Sequence, residues 1–245
     1  SNVGTLKTWG WEVEVGYRDK IGDLSYNVSV NLSDSDNEVT SYSGKNTISA
    51  GSVDILEGYP LNTIWGYKTD GLWKSREEYE AYKEAHPGYQ SFNDAKVSGG
   101  DVKYLAQGDG CHTVGQGGGT PEDPGDLVYL GSSNGRYFYG INLGLQWKGF
   151  DFSVMFQGVA KRKVLIEAAQ IAPLASTSEM PWTIHRDYWT EENPNAYWPR
   201  LYSGNSFNYN PSDRWVQDAS YIRLKTLSIG YTVPLKKFNI EKCRV

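Results

Sequence analysis

The sequence predicts an all-β chain, part of a large antiparallel transmembrane β-barrel with long extracellular loops that contain short helices. Three observations predict it. Five runs alternate apolar and polar residues with a period of two, and their polar positions are mostly Gly, Asn, Ser and Gln. Such residues suit a polar, crowded lumen better than an open solvent face. Aromatic residues bracket the apolar faces: Trp9 and Tyr17 in the first run, Tyr137 and Trp147 in the third, with Trp147 and Phe150 flanking one turn. Strands of about eight to ten residues, rising about 3.3 Å each and tilted about 40°, cover roughly 20–25 Å, close to the apolar band of an outer-membrane barrel. The connections also alternate in length. Those at 20–23, 148–149 and 234–242 are short, and those at about 34–136 and 161–219 are long. Strands running down and up in turn then place the short turns on one rim and the long loops on the other.

Taken in order, the first element is "WGWEVEVGYRD", 9–19, with Trp9, Trp11, Val13, Val15 and Tyr17 on one face. After "KIGD" comes "LSYNVSVNLS", 24–33, where Leu24, Tyr26, Val28, Val30 and Leu32 face Ser and Asn on the other side. The two runs read as a hairpin. In the long interval that follows, "GYPLNTIWGYKTDGLW" (58–73) reads as extended, with a turn at Asp70-Gly71. "SREEYEAYKEAH" reads as a short helix with Ser75 as N-cap, Glu78 closing a capping box, and Pro87-Gly88 ending it. Alternation returns in 137–147 and, after Lys148-Gly149, in 150–159. The last clear strand, 220–233, changes phase midway, and a β-bulge near Lys225-Thr226 reconciles its halves. "PLKKFNIEK" reads as a short turn, and "CRV" begins a further strand. Five strands cannot close a barrel without leaving edges open in lipid.

Composition narrows the function classes. The chain has 245 residues, 24 basic and 29 acidic, for a net charge of -5, and no basic stripe, so nucleic acid is not a partner. Eighteen Tyr and nine Trp against seven Phe place the aromatic excess in amphipathic rings, which suit interfaces, sugar platforms and membrane girdles. No apolar run is long enough for a transmembrane helix, which does not bear on a barrel. Cys111 lies in a Gly-rich loop and Cys243 near the C-terminus, so they read as two free thiols rather than a disulfide framework.

No catalytic constellation is present, so the chain does not read as an enzyme, and no cofactor is expected. His86, His112 and His185 are far apart in sequence. Cys111-His112 lacks further ligands nearby and adjacent residues point apart, so no metal site is predicted. "GQGGG" (115–119) has the glycine of a phosphate loop without its Lys-Ser/Thr. Six aromatics, Trp182, Tyr188, Trp189, Tyr197, Trp198 and Tyr202, crowd one long loop and are candidates for contact with substrate or a lid. The competing expectation, that they pack the loop on itself, carries more weight because large ordered loops need small cores of their own. "NPNAYWPR" (193–200) reads as a turn with a Pro-bounded segment. On the inward face, Glu12, Glu14, Asn27, Asn31, Asn142, Gln146, Ser153 and Gln157 read as barrel wall.

Five blocks in sequence carry a family resemblance: "EGYPLNTIWGYKTDGLW", "GDVKY", "YFYGINLGLQWKGFDFSVMFQG", "DYWTEENPNAYWPRL" and "DASYIRLKTLSIGYTVP". Over nearly the whole chain, Trp9 to Val245, they resemble the C-terminal barrel region of SusC/RagA-type TonB-linked outer-membrane transporters of Gram-negative bacteria. The resemblance implies a 22-stranded barrel closed by an N-terminal plug. It also implies a SusD-like surface lipoprotein as lid, TonB acting through the plug region, the lipid bilayer as surround, and glycans or oligopeptides as substrates. No plug domain, TonB box or signal peptide is recognised, so residues 1–245 are expected to be an internal part of such a barrel. After "GDVKY" only Gly108-Asp109-Gly110 matches the acidic, Gly-rich stretch frequent in the family, and no calcium loop is expected. The alternative reading is a soluble, aromatic-rich carbohydrate-binding β-domain.

Overall fold

The computed structural model describes residues 3–174, 180–204, 206–233 and 243–244. In chain order the strands are β1 (Gly4–Ile21), β2 (Leu24–Tyr42), β3 (Gly51–Val53), β4 (Thr63–Gly66) and β5 (Thr69–Leu72). Helix α1 (Arg76–Ala85) follows, then β6 (Val102–Tyr104), β7 (Val128–Ser132), β8 (Arg136–Trp147) and β9 (Phe150–Lys161). The chain continues through β10 (Lys163–Leu165), α2 (Ala168–Ile171), β11 (Val216–Asp218), β12 (Tyr221–Val233) and β13 (Cys243–Arg244). It divides into a sheet unit (Lys7–Asn37, Asn134–Arg162, Asp218–Val245) and a loop unit (Ser1–Leu6, Glu38–Ser133, Lys163–Gln217).

The sheet orders its strands β1-β2-β8-β9-β12-β13. Its register fixes two faces. Leu24, Trp147, Phe150 and Tyr231 form one cross-strand row. Tyr26, Leu145, Phe152 and Ile229 form the next, and Val28, Leu143, Val154 and Leu227 a third. The opposite face carries Ser25, Gln146, Asp151 and Gly230, then Asn27, Gly144, Ser153 and Ser228. The period-two pattern of each strand thus adds up, in register, to one apolar and one polar surface. The phase change in β12 resolves as a bulge. Leu224 pairs Phe156 and Thr226 pairs Met155, so Lys225 is left over and Leu224 and Leu227 return to the same face.

Strand extents differ from the alternation. The first strand runs five residues ahead of Trp9 and two beyond 19, and the second continues to Tyr42 rather than ending at 33. Polar residues such as Asp34, Ser35 and Asp36 hide this extension, because no apolar alternation marks it. Asp34 and Asp36 instead hold Arg136 in an ion-paired cluster where β8 begins. The Lys148-Gly149 turn has positive φ at both residues, 45° and 90°, as a two-residue hairpin with right-handed strand twist requires. Thr232 N–H donates to the Gly149 carbonyl at 2.8 Å, tying this turn to the next strand. The turn expected at 234–242 lies outside the described residues.

The loop unit has its own core. Leu56, Trp65, Tyr67, Trp73, Tyr79, Tyr89, Val97, Val102 and Tyr104 are buried together, and Trp198, Tyr209, Trp215 and Ile171 form a second cluster. Small antiparallel sheets, β3-β4-β7, β5-β6 and β10-β11, frame it. Asp70-Gly71 is not a reversing turn: it sits inside β5 as an irregularity between Thr69 and Leu72, with Gly71 at φ 72°. In α1, Ser75 accepts from the Glu78 N–H, but the Glu78 carboxylate accepts from Lys74 N–H at 2.7 Å, one residue ahead of the N-cap. Three buried tyrosine hydroxyls of the larger cluster find partners: Tyr79 donates to Asp94, Tyr89 to the Tyr104 carbonyl, and Tyr104 to the Phe207 carbonyl at 2.7 Å. Burial pushes the Tyr67 hydroxyl up to about 12. Much of the Tyr and Trp excess therefore builds this core rather than a girdle or a ligand platform.

Candidate functional site

The sheet presents two chemistries. On the apolar face, Val15, Ile222 and Ile229 are 66 %, 61 % and 71 % exposed, with Leu227 and Val13 also open. A contiguous exposed apolar surface of this extent marks an interaction or membrane face. On the polar face, Asn142 Nδ2 donates to Ser29 Oγ at 3.2 Å and Arg223 donates to Gln157 Oε1 at 3.2 Å. Asn27 lies over Gly144 and Asn31 over Gly140, so close that a Cβ on either glycine would stand 2.4 and 2.3 Å from the Asn oxygen. Gly144 and Gly140 are what let these amides lie flat. Glu12 and Glu14 sit on β1, which is exposed along its whole length.

The six loop aromatics separate by environment. Trp198 is only 9 % exposed and stacks on Trp215 (5.6 Å, 26°), which stacks in turn on Tyr209 (5.2 Å, 20°). His185, buried, meets the Trp198 ring edge-on at 4.5 Å and contacts the Ile171 carbonyl through Nε2 at 2.8 Å. Trp189 is half-buried against Gly99 and Gly100, where any Cβ would fall within 2.6 Å of its ring. Tyr202 is half-buried beneath the Arg200 guanidinium, 4.3 Å from its ring centre. Trp182, Tyr188 and Tyr197 are exposed, at 60 %, 39 % and 44 %. Sequence reasoning passed over Met180 and Ile184, which flank Trp182 and are as open, at 77 % and 52 %.

This loop holds its shape through Asp187 and Asp101. Asp187 accepts from Asn193 Nδ2 at 3.0 Å and Tyr197 N–H at 3.1 Å, and these two donors, Asn193 first, hold its carboxyl below the usual range. Asp101, fully buried, takes two bonds from Arg200 (3.0 and 2.7 Å), one from Asn208 Nδ2 (2.8 Å) and one from Ser98 N–H (2.9 Å). Asn208 Oδ1 in turn accepts from Val102 N–H at 2.8 Å. The Asp of "GDVKY", the Arg of "YWPRL" and Asn208 are thus one buried clasp, joining the two long connections within the loop unit.

Elsewhere the chemistry is structural. His112, expected to stand without nearby ligands, has Nε2 3.0 Å from Asp126 and Nδ1 3.5 Å from Asp109. The Asp126 carboxylate raises its pKa. The Gly-rich stretch is a set of turns closed by Asp126, which accepts from Gly115 N–H, and Asp123, which accepts from Gly118 N–H. Among the described residues no group of three or more His, Cys, Asp or Glu could hold a metal ion.

No protein-family model matches the chain. Sequence relatives are TonB-dependent receptors of Formosa agariphila: receptor P26, 26 % identical over 98 % of this chain and 23 % of its own length, and receptor P3, 23 % identical over 95 % and 22 %. The fold is similar to a structure of the RagAB peptide transporter, with a TM-score of 0.68 and 19 % identity over 99 % of this chain and 25 % of that one. The chain therefore spans about a quarter of the length of the relatives it matches. In the stretch it spans, the chain has the fold of part of an outer-membrane β-barrel, and the proteins it is similar to are receptors and transporters, not enzymes. Its sequence is similar to TonB-dependent receptors, and its fold to that of the RagAB transporter, in agreement with the SusC/RagA resemblance of its five sequence blocks. A barrel fold of this kind sets the apolar face of the sheet against lipid, and it favours this reading over a soluble carbohydrate-binding domain.

Proposed function

We propose that the receptor imports glycans or oligopeptides across the outer membrane with energy delivered through TonB, and that it works with a SusD-like surface lipoprotein. In this reading residues 1–245 are barrel wall and extracellular loops, with strands at about 9–19, 24–33, 137–147, 150–159 and 220–233 crossing the membrane. The observation that carries it is the likeness to the RagAB peptide transporter along 99 % of the chain. The loop supports it with an exposed strip, Met180, Trp182 and Ile184, beside the open rings of Tyr188 and Tyr197. Rings with one apolar face and a polar tip suit both sugar stacking and a protein lid. Trp189, Trp198 and Tyr202 serve the contact indirectly, by fixing the loop that presents the other three.

The test is uptake of labelled oligosaccharides and oligopeptides in cells that depend on this receptor. Substrate-dependent growth lost on deleting the receptor or TonB supports the reading, and uptake indifferent to both refutes it. Trp182→Ala with Tyr188→Ala and Tyr197→Ala is expected to weaken uptake or lipoprotein capture at least tenfold while leaving the receptor in the membrane.

A further inference from the structure

The rim that carries the two tight turns holds a feature that a uniform lipid belt does not require. Leu24, Leu145, Trp147, Phe150, Phe152 and Ile229 of the apolar face, together with Asp151, line a groove of about 400 Å³. It lies within the sheet, across β2, β8, β9 and β12, so it is not a product of a strand edge. At its rim the Phe150 and Tyr231 rings pack 4.4 Å apart, and Lys148 Nζ stands 5.5 Å from the centre of the Trp147 ring. On the other side of Lys148, Asp23 of the neighbouring turn lies 3.7 Å away. Both charged side chains are more than 60 % exposed, at 62 % and 68 %. A polar cleft of about 500 Å³ beside them includes Lys20 and shares Trp147, Phe150 and Asp151 with the groove.

We propose that this rim binds one glycerophospholipid with a zwitterionic aminoethyl-phosphate headgroup. An acyl chain fills the apolar groove, Lys148 takes the phosphate, and Asp23 takes the ammonium. The charge balance selects this class. Among the described residues that line the cleft, Lys20 and Lys148 are matched by Asp23 and Asp151, so the cleft favours neither an anionic nor a cationic headgroup. It offers one charge of each sign, adjacent, above a hydrocarbon slot. The Lys148–Asp23 pair is exposed enough that its own bond contributes about 0–1 kcal/mol, so a headgroup replaces it at little cost. Trp147 and Tyr231 are the amphipathic rings that favour the boundary where headgroup meets chain. The proposal rests on the outward face lying in lipid and is independent of what the receptor imports.

The test is native mass spectrometry of the intact receptor, released from mild detergent after exposure to phosphatidylethanolamine and phosphatidylglycerol with identical acyl chains. One phosphatidylethanolamine is expected to survive activation that strips the remaining lipid, retained about tenfold over phosphatidylglycerol. Leu145→Trp fills the groove and is expected to abolish retention of both. Lys148→Glu is expected to lower phosphatidylethanolamine retention at least fivefold, and Asp23→Lys to turn the preference toward phosphatidylglycerol. The two turn variants alter exposed side chains, and folding of all three is checked by the heat-sensitive gel migration of a closed barrel. Equal retention of both lipids, unmoved by Asp23→Lys, shows annular lipid only and overturns the site. A receptor that does not migrate as a barrel or enter bilayers overturns the lipid face itself, and the site with it.

Discussion

Arg200→Met tests whether the two long connections are joined through Asp101. The Asp101 carboxylate is fully buried and accepts four hydrogen bonds, two of them from Arg200. Removing the guanidinium leaves a buried charge with only Ser98 N–H and Asn208 Nδ2. Breaking a buried ion pair from one side costs about 3–5 kcal/mol. The two remaining donors and the 28 % exposure of the Arg200 side chain lower this, and the lost stacking on Tyr202 returns about 0.5–1 kcal/mol. The expected cost is about 2–4 kcal/mol, a roughly 30- to 700-fold rise in the local opening constant. Hydrogen exchange on the receptor in detergent reads it at the Val102 amide, which donates to Asn208, and at the Arg200 amide, which donates to the Gly100 carbonyl at 3.0 Å. Both segments should lose protection together. In the cycle with Asp101→Asn, the double variant should be less damaged than the sum of the singles by at least about 1 kcal/mol. Additive effects, or loss of protection on only one of the two connections, would refute the clasp.

Three further outcomes follow from the sheet and the loop chemistry. Lys at Val13, Val28, Leu143 or Val154 should impair assembly into membranes by about 2–4 kcal/mol near the bilayer centre, whereas Lys at Ser29 or Asn142 should be tolerated, as judged by the folded fraction on unheated gels. Deleting Lys225 removes the bulge yet leaves Leu224 opposite Phe156 and Thr226 opposite Met155, so Arg223 stays inward, Ile222 and Leu224 stay outward, and assembly should survive as well as in Lys225→Ala; a deletion variant that fails to fold on unheated gels would refute this register. His112 has a folded pKa raised above its unfolded value, chiefly by Asp126. Its contribution is therefore full below the unfolded pKa of about 6.5 and is lost as pH rises through the folded pKa. The half-exposed ring limits this to under about 1 kcal/mol. Protection of the Gly115 amide, bound to Asp126, should weaken over that window in the native receptor and not in His112→Gln.

The two faces of the sheet were legible because alternation with period two survives wherever one side meets lipid. Even the bulge at Lys225 showed, since Leu224 and Leu227 break parity in a strand otherwise regular. What stayed hidden had no such pattern. β2 runs on past Ser33 through Asp34, Ser35 and Asp36, where paired charges replace apolar alternation. The small sheets of the loop unit use strands of three to five residues, too short to show a period. Asp101, Arg200 and Asn208 stand 99 to 107 residues apart from first to last, and only the fold brings such distant polar residues into one buried network. The loop aromatics were visible as a crowd, but sequence proximity could not separate Trp198, at the centre of a ring stack, from Trp182, in the open.

The Asn27–Gly144 and Asn31–Gly140 pairs bear on what the inner wall is like to slide against. Each amide lies flat in the space its glycine vacates, so the wall keeps donors and acceptors while adding almost no height. A surface of this kind holds neighbours through short-lived, water-exchangeable hydrogen bonds rather than through interlocking side chains. Contents of the lumen meet an equivalent amide again four residues along β2, from Asn27 to Asn31, about 13 Å on. The wall is thus shallow in relief here without being apolar, a property set by two glycines as much as by the amides that fill their space.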